Sequence, residues 1–208
     1  MRATFNHIAP VYDTLAFTVF GNNLLRAKKQ FLHELPEHGR LLLIGGGTGT
    51  ILNELCKSRG GIIIDFVEAS DRMLNLAREK TDLQFINRVN FINGDHHAIP
   101  PGINYDAVTT FFVLDCMKQD TASEFSYTIS KSLKKNGLWL FADFFRTKNI
   151  FQRMLLWMMY CFFRFTAGIE ATRLPDYDLI FDRLSYQEME HAEFLHGFIR
   201  SKVYKKVL

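Results

Sequence analysis

LLLIGGGTGT, residues 41–50, is the stretch from which the fold of this chain can be predicted. Four consecutive apolar residues are typical of a strand that is buried on both faces of a parallel sheet. Glycines then let the backbone approach a ligand closely, and the first turn of a following helix offers free N–H groups. The glycines stand at 45, 47 and 49, whereas the dinucleotide pattern G-x-G-x-x-G requires glycine at position 50, which is Thr50. An ordinary glycine-rich turn between strand and helix remains the alternative.

Short apolar segments and helical patterns alternate after this stretch. The further predicted strands are 62–67, 89–92, 107–113 and 138–142, and the predicted helices between them are 49–59, 71–80 and 121–134. In the last helix Thr121 and Glu124 have the spacing of a capping box. The alternation predicts right-handed βαβ units around a buried parallel sheet.

The two ends of the chain depart from this alternation. A helix is predicted over 22–35, before the first strand, and another at about 176–185. Residues 187–204, with Gly197 near the middle, are predicted to form a hairpin of two strands. The predicted fold class is therefore α/β, with a doubly wound, mostly parallel seven-stranded sheet and an antiparallel strand in the C-terminal hairpin.

Composition limits the possible classes of protein. The 208 residues suggest one domain, and 48% hydrophobic with 23% charged residues excludes a disordered or collagen-like chain. A net charge of +3 is too small to indicate nucleic-acid binding. The last nine residues carry four basic side chains, which we expect on a solvent-exposed edge strand and tail: Arg200, Lys202, Lys205 and Lys206.

Cysteine usage and the N-terminal sequence both favour a cytoplasmic location. Cys56, Cys116 and Cys161 are far apart and form no C-x-x-C pair, so we expect buried free thiols in a reducing compartment. Residues 1–13 contain no apolar segment of the kind found in a secretory signal.

MLLWMMYCFF, residues 154–163, is a run of ten apolar residues between two arginines. As a helix it spans ~15 Å, about half of a ~30 Å hydrocarbon core, so it predicts no membrane span. Contact with a membrane surface remains open, but a helix that is apolar all round is expected to be buried. A core helix is favoured slightly over a helix that clamps a substrate.

Acidic residues follow the second and third predicted strands. Glu68 stands 19 residues after Gly49, where an acid can accept both hydroxyl groups of a ribose; an exposed position near a helix start is the alternative. Asp95 can accept from an exocyclic amine such as that of adenine, or it can form an Asx-turn. The neighbouring His96 and His97 have no further ligands at metal-binding spacing, so no metal site is predicted.

These features together resemble the class I S-adenosylmethionine-dependent methyltransferases, over nearly the whole chain. Residues 41–49 are similar to the family's first motif, Glu68 to its ribose-binding acid, and Asp95 to its adenine-contacting acid in the G-D-x-x-x-x-P pattern, which here runs from Gly94 to Pro100. Residues 105–114 and 133–137 are similar to its fourth-strand motif and to the turn before its fifth strand. Residues 5–13, FNHIAPVYD, resemble the F-D-x-x-A-x-x-Y-D lead-in of the quinone-biosynthesis-like branch.

The resemblance implies a Rossmann-like methyltransferase domain over 1–208, with an N-terminal lid at 1–35 and a substrate-side helical insertion at 146–175. It implies S-adenosylmethionine as the cofactor, bound by residues of the lead-in, the glycine loop and the strand ends: Tyr12, Gly45, Gly47, Gly49, Glu68, Asp95, His96 and Phe111. One position departs from the family. The first motif usually has an acid two residues before its first glycine, and here that residue is Leu43.

The resemblance also implies a small, partly apolar molecule as the methyl acceptor. A base is needed only for a hydroxyl or a protonated amine, and the candidates are His7, Tyr12, His97 and Asp115. Because Leu43 replaces the acid, a cofactor-binding protein without turnover is the main alternative. A nicotinamide oxidoreductase is a third possibility, against which Thr50 and the lack of a second substrate domain argue. The sequence identifies neither the acceptor nor the oligomeric state.

Overall fold

The computed structural model describes residues 5–207 and contains one seven-stranded sheet. Its strands lie in the order β3-β2-β1-β4-β5-β7-β6. Their bounds are β1 His38–Ile44, β2 Gly61–Glu68, β3 Val89–Asn93, β4 Tyr105–Phe111, β5 Leu133–Phe144, β6 Tyr186–Phe194 and β7 Ile199–Lys206. Strands β1 to β5 pair in parallel, and β7 lies antiparallel between β5 and β6. The predicted fold class is confirmed.

Seven α-helices cover the two faces of the sheet in the part of the chain that the structure describes. They are α1 Ala9–Phe20, α2 Asn23–Lys29, α3 Leu52–Ser58, α4 Asp71–Lys80, α5 Gln119–Ser132, α6 Ile150–Ala167 and α7 Tyr177–Arg183. Alternate residues of β1 supply the two cores. Leu41 and Leu43 belong to one apolar cluster, and Leu42 and Ile44 belong to the other.

Two predicted helices differ from the observed ones, and one observed helix was not predicted. The predicted helix 22–35 is only α2 with a separate short 3₁₀ turn at Leu32–Glu34, and α1 was not predicted as a helix. The capping box at Thr121 and Glu124 is wrong. The chain is still extended at Lys118, whose carbonyl accepts from the N–H of Ala122 at 2.8 Å, so α5 begins at Gln119.

The basic C-terminal strand is not an edge strand, contrary to expectation, because β6 is placed outside it. Lys202 is buried, and its Nζ lies 2.9 Å from Asp178 Oδ1 and 2.8 Å from Glu188 Oε2. Lys206 Nζ donates to the carbonyl oxygens of Ser130 and Leu133. These ammonium groups therefore hold β7 to its neighbours.

Helix α6 is not the buried core helix that its composition favoured. Of its residues only Tyr160 and Ala167 are buried, whereas Trp157 is 65% exposed and Phe165 is 88% exposed. The helix is held at one end by Asn149, whose side chain accepts from the N–H groups of Phe151 and Gln152. Among residues 5–207, no helix has both the length and the apolar character that crossing a bilayer requires.

Candidate functional site

A cavity of about 620 Å³ opens at the carboxyl ends of β1, β2 and β4. Strand order reverses between β1 and β4, and ligands of doubly wound sheets bind at such a switch point. The volume lies within the ~300–1,000 Å³ of small-molecule sites. The walls include the glycine loop after β1, helix α1 and helix α6, so one cavity joins the predicted cofactor region to the 146–175 segment.

The glycines of the loop have different structural tasks. A Cβ on Gly49 would lie 2.7 Å from Ala77 Cβ, so this glycine lets α4 pack against the loop, and it does not line the cavity. Gly45 lines the cavity but faces Val113, 2.6 Å from where its Cβ would lie. Gly47, at φ +60°, would meet only Met73 Sδ, at 4.0 Å. Gly47 is therefore the position at which a ligand can approach the loop most closely.

Glu68 lies at the end of β2 and lines the cavity, although it is only 6% exposed. Its Oε2 accepts from the N–H of Gly47 at 2.8 Å, and its Oε1 accepts from the N–H of Ser70 at 2.9 Å. Burial raises the pKa of this carboxyl group. The exposed alternative is wrong. Because a carboxylate oxygen can accept more than one hydrogen bond, both oxygens remain able to accept from a ligand hydroxyl.

A carboxylate from α1 supports the other side of the loop. The Thr48 hydroxyl lies 2.8 and 2.7 Å from the two oxygens of Asp13, and Lys80 Nζ lies 2.6 Å from Asp13 Oδ2. Leu43, in contrast, is buried beneath the loop, where its side chain packs against Gly46. The acid missing at Leu43 thus has a counterpart that reaches the loop from a different element.

The segment after β3 forms a turn around Asp95. Its Oδ1 accepts from the N–H of His97 at 3.0 Å, as the Asx-turn alternative anticipated, and Asp95 also lines the cavity. Side-chain ligand atoms of Asp95, His96 and His97 lie within 4.8 Å of one another. His96 packs edge-on against Phe125, 5.2 Å between ring centroids, and His97 is exposed. Neither histidine lines the cavity.

The aromatic lead-in covers the cavity. Phe5 and Tyr12 both line it, and their ring centroids lie 5.6 and 6.3 Å from that of Phe163 on α6. Burial raises the pKa of the Tyr12 hydroxyl far above its usual range. His7, on the same segment, is exposed and does not line the cavity.

A pair of buried carboxyl groups follows β4 and ends β5. Asp115 lines the cavity and is 6% exposed, and its Oδ1 has no hydrogen-bond partner among the described residues. Asp143 is fully buried and accepts from the N–H groups of Leu114, Asp115 and Phe144. Burial raises the pKa of both groups, that of Asp115 to about 6.

Lys28 and Phe112 are among the cavity residues that sequence reasoning missed. Lys28 of α2 lines the cavity with its Nζ 5.9 Å from the Phe112 ring centroid, and desolvation lowers its pKa. Phe112 adopts φ +58°, which turns the chain as β4 ends. The predicted Phe111 lines the cavity beside it. The one sequence signal for Lys28 as a cavity residue is its position four residues after Leu24, which places it on the apolar side of α2.

Comparison with known families gives one match. Residues 42–139 match the family model described as a methyltransferase domain, and this range contains the glycine loop, Glu68, Asp95 and Asp115. No curated protein sequence matches the chain.

Solved structures with this fold are numerous. A putative methyltransferase from Haloferax volcanii, solved in complex with the methyltransferase activator Trm112, has a TM-score of 0.76 at 16% identity, with both chains covered to 100%. The mitomycin 7-O-methyltransferase has a TM-score of 0.73 at 13% identity, covering 98% of this chain and 61% of its own. Human N-acetylserotonin methyltransferase, solved with S-adenosylmethionine, has a TM-score of 0.66 at 14% identity, and the match covers 88% of this chain and 52% of its own. The chain thus spans about three-fifths or less of the last two. At these identities the likeness establishes the fold.

Proposed function

This chain has the class I S-adenosylmethionine-dependent methyltransferase fold with a methyltransferase domain at 42–139, and on that premise we propose that it transfers a methyl group to a small, partly apolar acceptor. The observation that carries the proposal is the single cavity that joins Gly47 and Glu68 to Asp115 and α6. One end has the donors and acceptors that suit a nucleoside, and the other end has aromatic and methionine side chains.

The residues at the first end fit S-adenosylmethionine. Glu68 is oriented by two backbone N–H groups and can accept from the ribose hydroxyls, and Asp95 stands at the next strand end for the adenine amine. The family's first motif usually has an acid at the position of Leu43. Here Asp13 supports the loop instead, through its hydrogen bond with Thr48. We assign the cofactor to this end, with Tyr12 and Phe111 as apolar walls. His96 is the weakest of the sequence-based assignments, because its ring packs on Phe125 instead of lining the cavity.

S-adenosylmethionine, when bound, supplies an electrophilic methyl group on a sulfonium centre. The chain then has to orient the acceptor and exclude water, and orientation alone can supply ~7–11 kcal/mol of a barrier. Phe5 and Tyr12 close the cavity against Phe163, so we propose that the lead-in within 1–35 is the lid and that 146–175 is the acceptor side. The same lead-in supports the quinone-biosynthesis-like branch.

Asp115 is the base that we propose for a hydroxyl acceptor. It lines the cavity, its Oδ1 is unpartnered among the described residues, and a pKa of about 6 leaves it mostly ionised at neutral pH. His7 and His97 are exposed and outside the cavity wall, and the raised pKa of Tyr12 makes its hydroxyl a hydrogen-bond donor rather than a base. Three free cysteines support a reducing compartment, and we propose the cytoplasm.

Calorimetry with S-adenosylhomocysteine, followed by a transfer assay, tests the proposal. We expect binding at micromolar ligand, and methyl transfer to at least one member of a panel of phenols, catechols and carboxylic acids with apolar bodies. Absence of binding at millimolar ligand contradicts the methyltransferase assignment. Binding without transfer to any acceptor favours the alternative, a cofactor-binding protein without turnover, which the substitution at Leu43 motivates.

A further inference from the structure

Two helices expose a large apolar surface on either side of the cavity mouth. We call it the α1–α6 face and define it by eleven exposed side chains: Val11, Leu15, Phe17, Val19, Ile150, Phe151, Met154, Trp157, Met158, Phe162 and Phe165. Contiguous apolar patches on a protein surface mark sites of interaction with a protein, a ligand or a membrane. Five of these side chains, Leu15, Phe17, Val19, Met158 and Phe162, also line the cavity, so the mouth opens within this face.

The exposed side chains of α6 form one continuous stripe. At 3.6 residues per turn, the positions from Trp157 through Ile150, Met154 and Phe165 to Phe162 cover an arc of roughly 140°. Arg153 and Arg164 are exposed and fall next to Trp157 at one edge of the arc. Apolar and aromatic side chains beside arginines are the composition of helices that lie in the membrane interface, where the arginines reach the headgroups.

The charged side chains on α6 and in the segment that leads into it have one sign. Residues 144–169 contain no Asp or Glu and four basic residues: Arg146, Lys148, Arg153 and Arg164. All four are exposed, and within residues 5–207 no carboxylate forms an ion pair with any of them. On α1 the single acid, Asp13, is occupied by Thr48 and Lys80. The face therefore complements an anionic surface.

We propose that the α1–α6 face docks on the surface of an anionic phospholipid bilayer, with α6 lying in the interface and the cavity mouth turned to the lipid. Ten consecutive apolar residues are too short to cross a bilayer but long enough to lie in its surface, and basic residues beside them add attraction to anionic headgroups. An apolar acceptor could then enter from the lipid; that consequence rests on the proposed function, whereas the docking itself does not.

Vesicle flotation without cofactor or acceptor tests the docking. We expect the protein to float with vesicles of phosphatidylcholine and phosphatidylglycerol (70:30) and to bind at least tenfold less to phosphatidylcholine alone. Trp157 gives a second readout. Its indole is 65% exposed and should shift its emission to the blue on binding, while Trp139 is fully buried and contributes a constant background.

Variants of exposed residues separate the apolar from the electrostatic contribution to vesicle binding. The triple variant Phe151→Ser/Trp157→Ser/Phe165→Ser should lose flotation, whereas Leu83→Ser, at a position as exposed as Phe165 but remote from the face, should float like the wild type. Arg153→Gln/Arg164→Gln should bind about thirtyfold more weakly to the anionic vesicles, since each basic residue near the surface contributes about a fivefold factor.

Two outcomes overturn the proposal. One is a wild-type protein that neither floats with anionic vesicles nor changes its Trp157 emission. The other is a wild-type dimer in light scattering that the triple variant converts to a monomer without any vesicle binding, because the face is then the contact between two copies of this chain. Failure to bind S-adenosylhomocysteine affects neither result, so the two proposals fail separately.

Discussion

At the residue scale, Glu68 connects the end of β2 to the glycine loop through the N–H groups of Gly47 and Ser70. In Glu68→Gln the amide nitrogen is a donor, so one of these N–H groups or a ribose hydroxyl loses its acceptor. A hydrogen bond to a charged group is worth ~1.5–3 kcal/mol, so we expect the Kd of S-adenosylhomocysteine to rise at least tenfold in calorimetry. Glu79→Gln, on the exposed side of α4, is the matched control, and equal affinities of the two variants would contradict the ribose assignment.

Gly47 and Gly49 form a matched pair because both have positive φ, +60° and +73°. Alanine is strained at either position by about 1–2 kcal/mol, but the new Cβ at 47 faces the cavity and that at 49 meets Ala77. Gly47→Ala should lose cofactor affinity at least tenfold with a small decrease in Tm. Gly49→Ala should bind normally yet melt several degrees lower, since overpacking adds ~1–3 kcal/mol. If Gly49→Ala lost affinity while Gly47→Ala only lost thermal stability, Gly47 would not be in contact with the ligand.

Asp115 predicts a specific pH dependence. A base must be unprotonated, and its pKa is raised to about 6 by burial, so the rate with a hydroxyl acceptor should increase as the pH rises through about 6 and then level off. Asp115→Asn should lower kcat by ~10²–10⁴-fold and remove this inflection while leaving S-adenosylhomocysteine affinity unchanged. Asp120→Asn, an exposed neighbour, should keep the wild-type profile. A normal kcat in Asp115→Asn would show that Asp115 is not the base.

At the element scale, α6 combines three environments. Tyr160 is buried, and its hydroxyl donates to the Asp115 carbonyl at 3.3 Å. Phe163 lines the cavity, whereas Trp157 is exposed and does not line it. Truncation of a buried aromatic costs ~3–5 kcal/mol, so Tyr160→Ala should melt roughly 10 °C lower. Phe163→Ala should melt near the wild type, because its cavity already exists, yet raise KM for the acceptor that the panel identifies. Trp157→Ala should change neither Tm nor KM. If Phe163→Ala were strongly destabilised, Phe163 would be a core residue and not part of the acceptor pocket.

At the scale of the whole molecule, ligand binding should stabilise the fold measurably. A ligand at one hundred times its Kd adds ~2.7 kcal/mol, which in a domain of about this size raises Tm by roughly 5–10 °C. We expect this shift with S-adenosylhomocysteine in thermal melting, and no shift with NAD at the same concentration. A shift with NAD alone would revive the oxidoreductase possibility, against which Thr50 in the loop argues.

The sequence by itself determined the sheet and the order of its functional strand ends. Strands buried on both faces are mostly apolar runs. Residues 41–44 are buried throughout and residues 62–67 are buried except at Ile63, so both could be recognised from the local pattern that such burial leaves. Glu68 could be placed for the same reason, since it directly follows such a run, whereas Asp95 follows the shorter and less buried β3 after Gly94.

Only the tertiary structure decided which residues surround the cavity and which face of α6 is covered. Asp13 reaches Thr48 from 35 residues away, and Lys28 and Asp143 come to the site from α2 and β5; none of these pairings leaves a local pattern in the sequence. Composition favoured burial of α6 because apolar residues are normally covered. Whether a helix is covered depends on the elements packed against it. Other elements pack against only one side of α6, so Trp157 and Phe165 on its other side stay exposed.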